Sequence, residues 1–182
     1  DGGDQGKNTH AGISILSTEG KILCHIDFFG NNLGNINWGH SIAANKNGST
    51  CYIADIELNY VCKLDKVSLN NNFAFIPDSN WIFEVKKYVT KPMSGGFCED
   101  ELYIGEDIPY SSIKVFNAIT GKFEREILKG VFIKPHSIYV DKFNCLYITD
   151  VDANKVYKVN KEGKILLTIE WENNMKKYNI KL

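Results

Sequence analysis

The chain has 182 residues, of which 43% are hydrophobic and 24% charged, and its formal net charge is -1. This length is enough for one domain with a buried core. The near-zero charge does not indicate nucleic-acid binding, and no stretch reaches the roughly 18 apolar residues of a membrane span. We therefore expect neither a nucleic-acid partner nor a membrane span. The first residues lack a signal-peptide pattern, and the sequence does not indicate a compartment.

Cysteine number and spacing limit the chemistry that the thiols support. The five cysteines are Cys24, Cys51, Cys62, Cys98 and Cys145. An odd number without a C-x-x-C pair argues against a disulfide framework and against a zinc knuckle. Four of them lie in apolar, strand-like runs, which predicts small buried hydrophobic residues.

The first predicted element is a partial repeat over residues 11–30. Its segment from Gly12 to Leu23 matches the segment from Val156 to Leu166 near the other end of the chain. The match covers two strand-like runs joined by a turn that contains glycine. Residues 11–30 are therefore predicted to be the back half of a repeat unit.

The second unit is predicted over residues 38–90. Its opening, Gly39-His40-Ser41-Ile42, leads through Tyr52-Ile53-Ala54-Asp55 to Val61-Cys62-Lys63, which predicts three short strands. Beyond Asp65 the pattern degenerates. We expect a loop over 68–72 and strands over 73–76 and 81–85.

The third unit, over residues 91–130, opens with Pro92-Met93-Ser94. Strand-like runs follow at Leu102–Gly105 and Ser112–Phe116, and Thr120-Gly121-Lys122 predicts the last turn.

The fourth unit, residues 134–172, is the clearest. It runs from Pro135-His136-Ser137-Ile138 to a turn at Lys161-Glu162-Gly163, and it predicts four short antiparallel strands.

The spacing of the units predicts an all-β propeller of four-stranded blades. Tyr52 and Tyr103 are 51 residues apart, and Tyr103 and Tyr147 are 44 residues apart. A period of 40–50 residues with four strands is typical of propeller blades, although a β-sandwich is an alternative. The recurring tyrosines are expected to pack between blades. Residues 1–182 then form a single partial propeller of about three and a half blades, which needs further blades or a partner to close its ring.

The third strand of the fourth unit completes a recognisable signature. The segments Pro-His-Ser-Ile-x-Val-Asp, Leu-Tyr-Ile-Thr-Asp-Val and Lys-Val-Tyr-Lys-Val, followed by Glu-Gly-Lys, resemble an NHL repeat. The resemblance implies a six-bladed propeller. It also implies an interaction scaffold that binds a protein or peptide through its channel-side loop face.

The blade starts carry the candidate site. His40, Met93 and His136 occupy equivalent positions just before or within the first strand, which lines the channel of a propeller. His40 and His136 are therefore expected to point at a common place on the axis. Three histidines and a water are a standard catalytic zinc arrangement. The alternative is that each imidazole only bonds the backbone of a neighbouring blade.

An enzymatic family shares this arrangement. The blade-start histidines resemble those of the peptidyl-hydroxyglycine amidating lyases, NHL-type enzymes that release an amidated peptide and glyoxylate. The resemblance implies that His40 and His136 bind zinc and that calcium lies deeper on the axis. It departs at Ser137, where the family usually has a calcium-binding Asp. A sugar- or lactone-handling hydrolase is a third reading, but no acidic residue recurs at the blade starts.

Carboxylates recur elsewhere in the units. Asp55 and Asp150 end the second strand of their units, where we expect them to accept backbone N–H bonds rather than to bind calcium. An acidic cluster in the third unit is expected to be a solvated loop or, alternatively, a surface for a cation or basic partner. It comprises Glu99, Asp100, Glu101, Glu106 and Asp107. His10 and His25 fall outside the repeat position and are expected to be surface or strand residues.

Overall fold

A computed structural model gives the fold over residues 12–27, 30–70 and 72–170. It contains fourteen strands and one helix in that part of the chain. The strands are β1 (Gly12–Leu16), β2 (Ile22–Asp27), β3 (Gly39–Ala44), β4 (Thr50–Asp55), β5 (Tyr60–Leu69), β6 (Asn72–Pro77), β7 (Pro92–Cys98), β8 (Glu101–Glu106), β9 (Ile113–Asn117), β10 (Phe123–Ile127), β11 (Pro135–Val140), β12 (Leu146–Asp150), β13 (Lys155–Val159) and β14 (Ile165–Glu170). The helix is α1 (Ser79–Lys86).

The strands form antiparallel meanders in chain order. β1 and β2 form a two-stranded sheet, the half-blade. Three four-stranded sheets follow: the first blade (β3–β6), the second blade (β7–β10) and the third blade (β11–β14). Each blade pairs sequential strands through hairpins, and the first strands of neighbouring blades contact one another. The all-β propeller prediction is confirmed, and the described blades form an open array.

The half-blade matches the outer two strands of the third blade residue for residue. In the β1–β2 turn the Ser17 amide donates to Lys21 over 2.8 Å, and in the β13–β14 turn the Asn160 amide donates to Lys164 over 3.0 Å. Gly20 and Gly163 occupy the same place in these turns and have positive φ values of 84° and 89°. Only glycine adopts this backbone conformation without steric cost, which explains why both turns carry it.

Apolar residues cover both faces of the second blade because successive strand residues point to opposite faces. Leu102 and Ile104 of β8 belong to the core shared with the first blade, together with Trp81. Tyr103, between them, belongs to the core shared with the third blade. Stacking neighbours therefore supplies each blade with the apolar contacts that a lone four-stranded sheet lacks.

The recurring tyrosines join consecutive blades, as predicted. The Tyr52 hydroxyl in the first blade donates to the Ala118 carbonyl of the second over 3.0 Å. The Tyr103 hydroxyl in the second blade donates to the Lys161 carbonyl of the third over 3.3 Å. Tyr147 has the same position in the third blade and lies on its outer, open face.

Two predictions for the second unit are wrong. The segment 81–85 is helical rather than extended, because Asp78 caps α1 by accepting the Trp81 amide over 3.1 Å. Trp81, Ile82 and Val85 are buried on one face of this helix. The expected loop over 68–72 is mostly strand, since β5 continues to Leu69 and pairs directly with the start of β6.

Three cysteines are buried as predicted: Cys51, Cys62 and Cys98. Burial raises the pKa of the Cys51 thiol to about 11, so it stays protonated at neutral pH. Cys24 and Cys145 are only partly exposed, and all five thiols are free.

In the described part of the chain, no helix is long and apolar enough to cross a membrane.

Candidate functional site

Each blade begins with a β-bulge, and the two predicted metal-binding histidines are the bulged residues. In the first blade Gly39 pairs with Asp55 and Ser41 pairs with Ala54, so His40 is the extra residue between two pairs. The register shifts at the same place in the other blades, where Met93 and His136 are the extra residues. A bulge bends its strand and turns one side chain out of the regular alternation.

The bulges bring the two imidazoles together. The ring centroids of His40 and His136 are 5.2 Å apart, and the ring planes meet at 78°. These residues come from the first and third blades, which are separated by the whole second blade. The structure thus brings together two imidazoles that lie 96 positions apart in the sequence.

Backbone contact fixes the orientation of one ring. His40 Nδ1 lies 2.9 Å from the Met93 carbonyl oxygen on the neighbouring blade. A carbonyl oxygen only accepts, so Nδ1 carries a proton and donates it. This is the backbone bond given as the alternative to metal binding, and it leaves Nε2 as the remaining nitrogen of the neutral ring.

The residues around the histidine pair form what we call the upper face. It comprises the starts of β3, β7 and β11 with the loops that precede them, and the ends of β4, β8 and β12 with the loops that follow them. It carries several exposed apolar side chains. Trp38 precedes β3 and is 37% exposed, Tyr110 in the β8–β9 loop is 71% exposed, and Ile133 before β11 is 42% exposed. The Tyr110 amide donates to the Ile133 carbonyl over 3.0 Å, which holds the two loops together.

Buried carboxylates hold the upper face in place. Asp55 is fully buried and accepts four backbone N–H bonds, from Asn37, Trp38, Glu57 and Leu58, over 2.7–3.0 Å. Asp150 is buried in the same place and accepts bonds from Ile133, Lys134 and Ala153. The predicted role as acceptors of backbone N–H bonds is therefore confirmed, and these oxygens are engaged by the chain itself.

A third buried carboxylate of this kind was not predicted from the sequence. Glu106 ends β8 and is 2% exposed, and its side chain accepts the Thr90 amide over 2.6 Å. Its other oxygen lies 2.6 Å from Lys114 Nζ. The signal was present, because Glu106 follows Tyr103 by three residues as Asp55 follows Tyr52 and Asp150 follows Tyr147.

Two further acidic residues of the second blade, Glu101 and Glu99, are ion-paired. Glu101 binds Arg125 through two bonds, and the same guanidinium donates to the Lys161 carbonyl of the third blade over 3.0 Å. Glu99 lies 3.1 Å from Lys161 Nζ. The prediction of a solvated loop is therefore wrong for Glu101 and Glu106, because both are tied into inter-strand or inter-blade contacts.

A second polar arrangement lies on the half-blade. Ser14 Oγ is 2.9 Å from His25 Nδ1, and His25 Nε2 is 3.0 Å from Asp27 Oδ1. Because the carboxylate only accepts, Nε2 carries a proton, and in the neutral ring Nδ1 then accepts the Ser14 hydroxyl. The His25 and Asp27 side chains are 50% and 69% exposed, so this pair contributes little to stability. The prediction of a surface strand residue is confirmed for His25, while His10 lies outside the described residues.

An open groove separates the half-blade from the first blade and contains a cavity of about 300 Å³. Its walls are the β1 strand on one side and the inner strands of the first blade on the other. The lining residues are Gly12, Ile13, Ser14, Ile36, Gly39, His40, Ser41, Ile42 and Ile53.

Metal ligands are sparse in the part of the chain that the structure describes. It holds no group of three or more His, Cys, Asp or Glu side chains that could bind one ion. The histidine pair therefore offers two imidazoles, and any third protein ligand has to come from outside the described residues.

Two solved structures with similar folds are propellers. The chain is similar to hydrazine synthase from Kuenenia stuttgartiensis, with 15% identity, a TM-score of 0.54, and coverage of 78% of this chain and 37% of that one. It is also similar to virginiamycin B lyase from Staphylococcus aureus, with 13% identity, a TM-score of 0.55, and coverage of 87% and 48%. Both are β-propeller proteins. The chain thus spans less than half the length of each.

Sequence comparison adds no closer relationship. No protein-family model matches the chain, and no curated protein matches it by sequence. At these identities the structural neighbours establish the propeller fold alone. The NHL assignment and the number of blades in a closed ring stay predictions.

Proposed function

We propose that this chain is an NHL-type propeller scaffold, part of a six-bladed ring, that binds a protein or peptide on its upper face. The observation that carries the proposal is the contact between His40 and His136, with ring centroids 5.2 Å apart. Two bulged strands from blades that are not neighbours present imidazoles to one place. Imidazoles accept and donate hydrogen bonds, so a peptide backbone or polar side chain can be held there.

The surroundings of the histidine pair support a polypeptide ligand. Trp38, Tyr110 and Ile133 expose apolar surface on loops whose backbones are held by Asp55, by Asp150 and by one another. Exposed aromatic side chains on a rigid frame lose little conformational entropy on binding and are enriched in protein interfaces. The upper face therefore combines exposed apolar side chains with the polar imidazoles of His40 and His136.

Selection of peptide binders tests this proposal. A displayed peptide library panned on the chain should yield peptides that bind the Trp38→Ala/Tyr110→Ala variant at least about tenfold more weakly. The same peptides should weaken on His40→Ala. Phe83→Ala is the matched control, because Phe83 is a 60% exposed aromatic residue on α1, which is not part of the upper face. Binders that are indifferent to the first two variants, or equally sensitive to the control, would contradict the proposal.

A zinc-dependent, amidating-lyase-like activity is the second candidate, and the ring spacing favours it. Two imidazoles bound to one tetrahedral zinc at the usual Zn–N distance have their centroids about 5 Å apart. The bond from His40 Nδ1 to the Met93 carbonyl selects the tautomer that leaves Nε2 for a metal. His40 and His136 would hold the ion, and a bound zinc would lower the pKa of its water and polarise a substrate oxygen. Calcium binding also stays a prediction. Every carboxylate oxygen of Asp55 and Asp150 already accepts a backbone N–H bond.

Metal analysis separates the two candidates. Equilibrium dialysis against zinc should give one ion per chain, and His40→Ala/His136→Ala should lose it. His25→Ala is the control, since His25 is exposed on the half-blade. If zinc is bound, glyoxylate release from a peptidyl-hydroxyglycine tests the lyase activity separately. No zinc bound at micromolar concentrations would end the metalloenzyme candidate and leave the scaffold proposal standing.

A further inference from the structure

The half-blade consists of the outer two strands of a blade whose inner two strands are not among the described residues. β1 and β2 coincide with β13 and β14 in their lengths, their turn hydrogen bonds and the position of their register shift. In the third blade β13 pairs with β12 along its whole length. Within the described ranges, β1 from Ile13 to Leu16 pairs with β2 alone. Its inner edge therefore offers backbone groups to a further strand.

The groove beside that edge is the position of the absent inner strands. Ile42 of β3 points into it and is 57% exposed, whereas Ile138, at the same place in β11, is 8% exposed. The difference has a visible cause. The second blade covers Ile138 with its inner strands β7 and β8, and no strand in the described part of the chain covers Ile42 in that way.

The packing between blades specifies what has to face Ile42. Opposite Ile138 the second blade carries Gly96, where an added Cβ would lie 2.7 Å from Ile138 Cγ2. At the junction between the first and second blades, Gly95 occupies the position that Ile138 has in the third blade. The residue facing Gly95 is Ala43, whose Cβ lies 4.0 Å from where a Cβ on Gly95 would be. The isoleucine at one junction thus faces a glycine. Because Ile42 occupies the position of Ile138, we expect a glycine opposite it as well.

We propose that the groove between β1 and β3 binds a β-hairpin of a partner polypeptide, which pairs with the inner edge of β1 and places a glycine over Ile42. Strand addition supplies backbone hydrogen bonds, and the apolar groove supplies side-chain selectivity. Residues 1–11 contain no apolar side chain larger than the methyl group of Ala11, so their composition does not match the isoleucines of this groove. The groove adjoins the upper face at His40. The inference rests on the edge of β1 and on Ile42, however, and does not depend on the proposed function.

The chain supplies its own probe. A peptide of residues 92–106 reproduces the β7–β8 hairpin with Gly96 in the required place. Added to the full chain, it should slow hydrogen exchange of the β1 amides and bind about tenfold or more tightly than the same peptide with Gly96→Val. The Ile42→Gly chain should lose this discrimination, because the space over β3 is then enlarged. A Gly95→Val peptide controls for a general loss of hairpin structure.

A second format guards against an isolated peptide that does not fold. The same hairpin is joined to the N-terminus by a flexible linker, which raises its effective concentration to about the millimolar range. Protection of β1 that depends on Gly96 in this fusion supports the proposal. Equal protection with Gly96→Val, or none in either format, overturns it. Protection of the β1 amides without any peptide also overturns the proposal. Protection at every protein concentration would mean that the chain fills its own groove. Protection only at high protein concentration would mean that a second copy fills it.

Discussion

Single carboxylates carry much of the order of the upper face. Asp55 is completely buried, and both of its oxygens accept backbone N–H bonds from two separate loops. A buried donor without an acceptor costs about 1–3 kcal/mol, and this one side chain satisfies four donors. The two loops, one of which carries Trp38, thus depend on a single buried side chain.

We predict that Asp55→Asn destabilises the protein by about 2–4 kcal/mol, although it preserves the size of the side chain. The amide nitrogen would face N–H groups where the carboxylate oxygen accepted them. Urea denaturation followed by tryptophan fluorescence measures the change. Glu124→Gln, on the exposed side of β10, is the control and should stay within about 0.5 kcal/mol of the unmodified chain. A small effect at Asp55 would mean that the loops find other acceptors.

The glycine at position 96 provides a second residue-scale prediction. An added methyl group would lie 2.7 Å from Ile138 Cγ2, so Gly96→Ala should cost about 1–3 kcal/mol through overpacking. Ile138→Ala removes the obstructing atoms. The double variant should therefore lose less unfolding free energy than the two single variants lose when their losses are added. Chemical denaturation of all four proteins gives this coupling energy.

Gly95 supplies the matched control for this cycle. It is the adjacent residue on the same strand, but the nearest atom to its added Cβ is 3.8 Å away. Gly95→Ala should therefore be tolerated far better than Gly96→Ala. If both cost the same, loss of backbone freedom rather than contact with Ile138 sets the penalty.

At the scale of elements, ion pairs join the turn of one blade to the strands of the next. Arg125 on β10 binds Glu101 on β8 and donates to the Lys161 carbonyl in the β13–β14 turn. The Arg125 guanidinium holds the pKa of the Glu101 carboxyl below its ordinary value of 4.5. The charged form of Glu101 is thus favoured in the folded chain.

This lowered pKa gives a signed pH dependence. Glu101 contributes stability above its unfolded-state pKa, and the contribution is lost as the pH falls through the lower folded-state pKa. We predict that Glu101→Gln is less stable than the unmodified chain at about pH 7 and that the difference narrows as the pH falls below about 4. Urea denaturation across this range measures it. The difference should be modest, since both side chains are partly exposed. A difference that is constant with pH would assign the effect to packing.

How far the sequence predicts each element depends on whether its signal is periodic. The strands around Tyr52, Tyr103 and Tyr147 recur at the blade repeat, and this recurrence predicted their inter-blade contacts. Helix α1 interrupts the repeat once, and its aromatic and β-branched residues favour strand by propensity. The better signal was local: Asp78 precedes the helix as a cap, and buried positions 81, 82 and 85 have helical spacing.

The candidate site divides in the same way. Equivalence of repeats predicted that His40 and His136 would converge, because residues in register on radial blades approach the same axis. The bulges that turn them inward are absent from the pattern of residue types, since a bulge depends on the pairing of two strands. The Ser14–His25–Asp27 arrangement was also missed, because its members are brought together by the register of one hairpin outside the repeat position.

At the scale of the whole molecule, the described array ends in an apolar face. Across the third blade Tyr139, Tyr147, Lys158 and Leu167 stand in one row of cross-strand pairs. The corresponding row of the second blade includes Tyr103 and Val115, which are fully buried by the third blade. Tyr139 is 66% exposed and Leu167 is 50% exposed. The third blade therefore presents to solvent the kind of surface that its neighbour buries.

We predict that the 182-residue chain on its own self-associates and binds a hydrophobic dye through this face, because exposed apolar sheet surfaces associate in water. Tyr139→Lys/Leu167→Lys should shift the chain toward monomer in sedimentation and lower dye binding severalfold. Ile119→Lys, at a 65% exposed position in the β9–β10 turn, is the control and should change neither. A monodisperse monomer that unfolds cooperatively without dye binding would show that the third blade is a sufficient end to the array. The proposal that this propeller needs further blades or a partner to complete its ring would then fail.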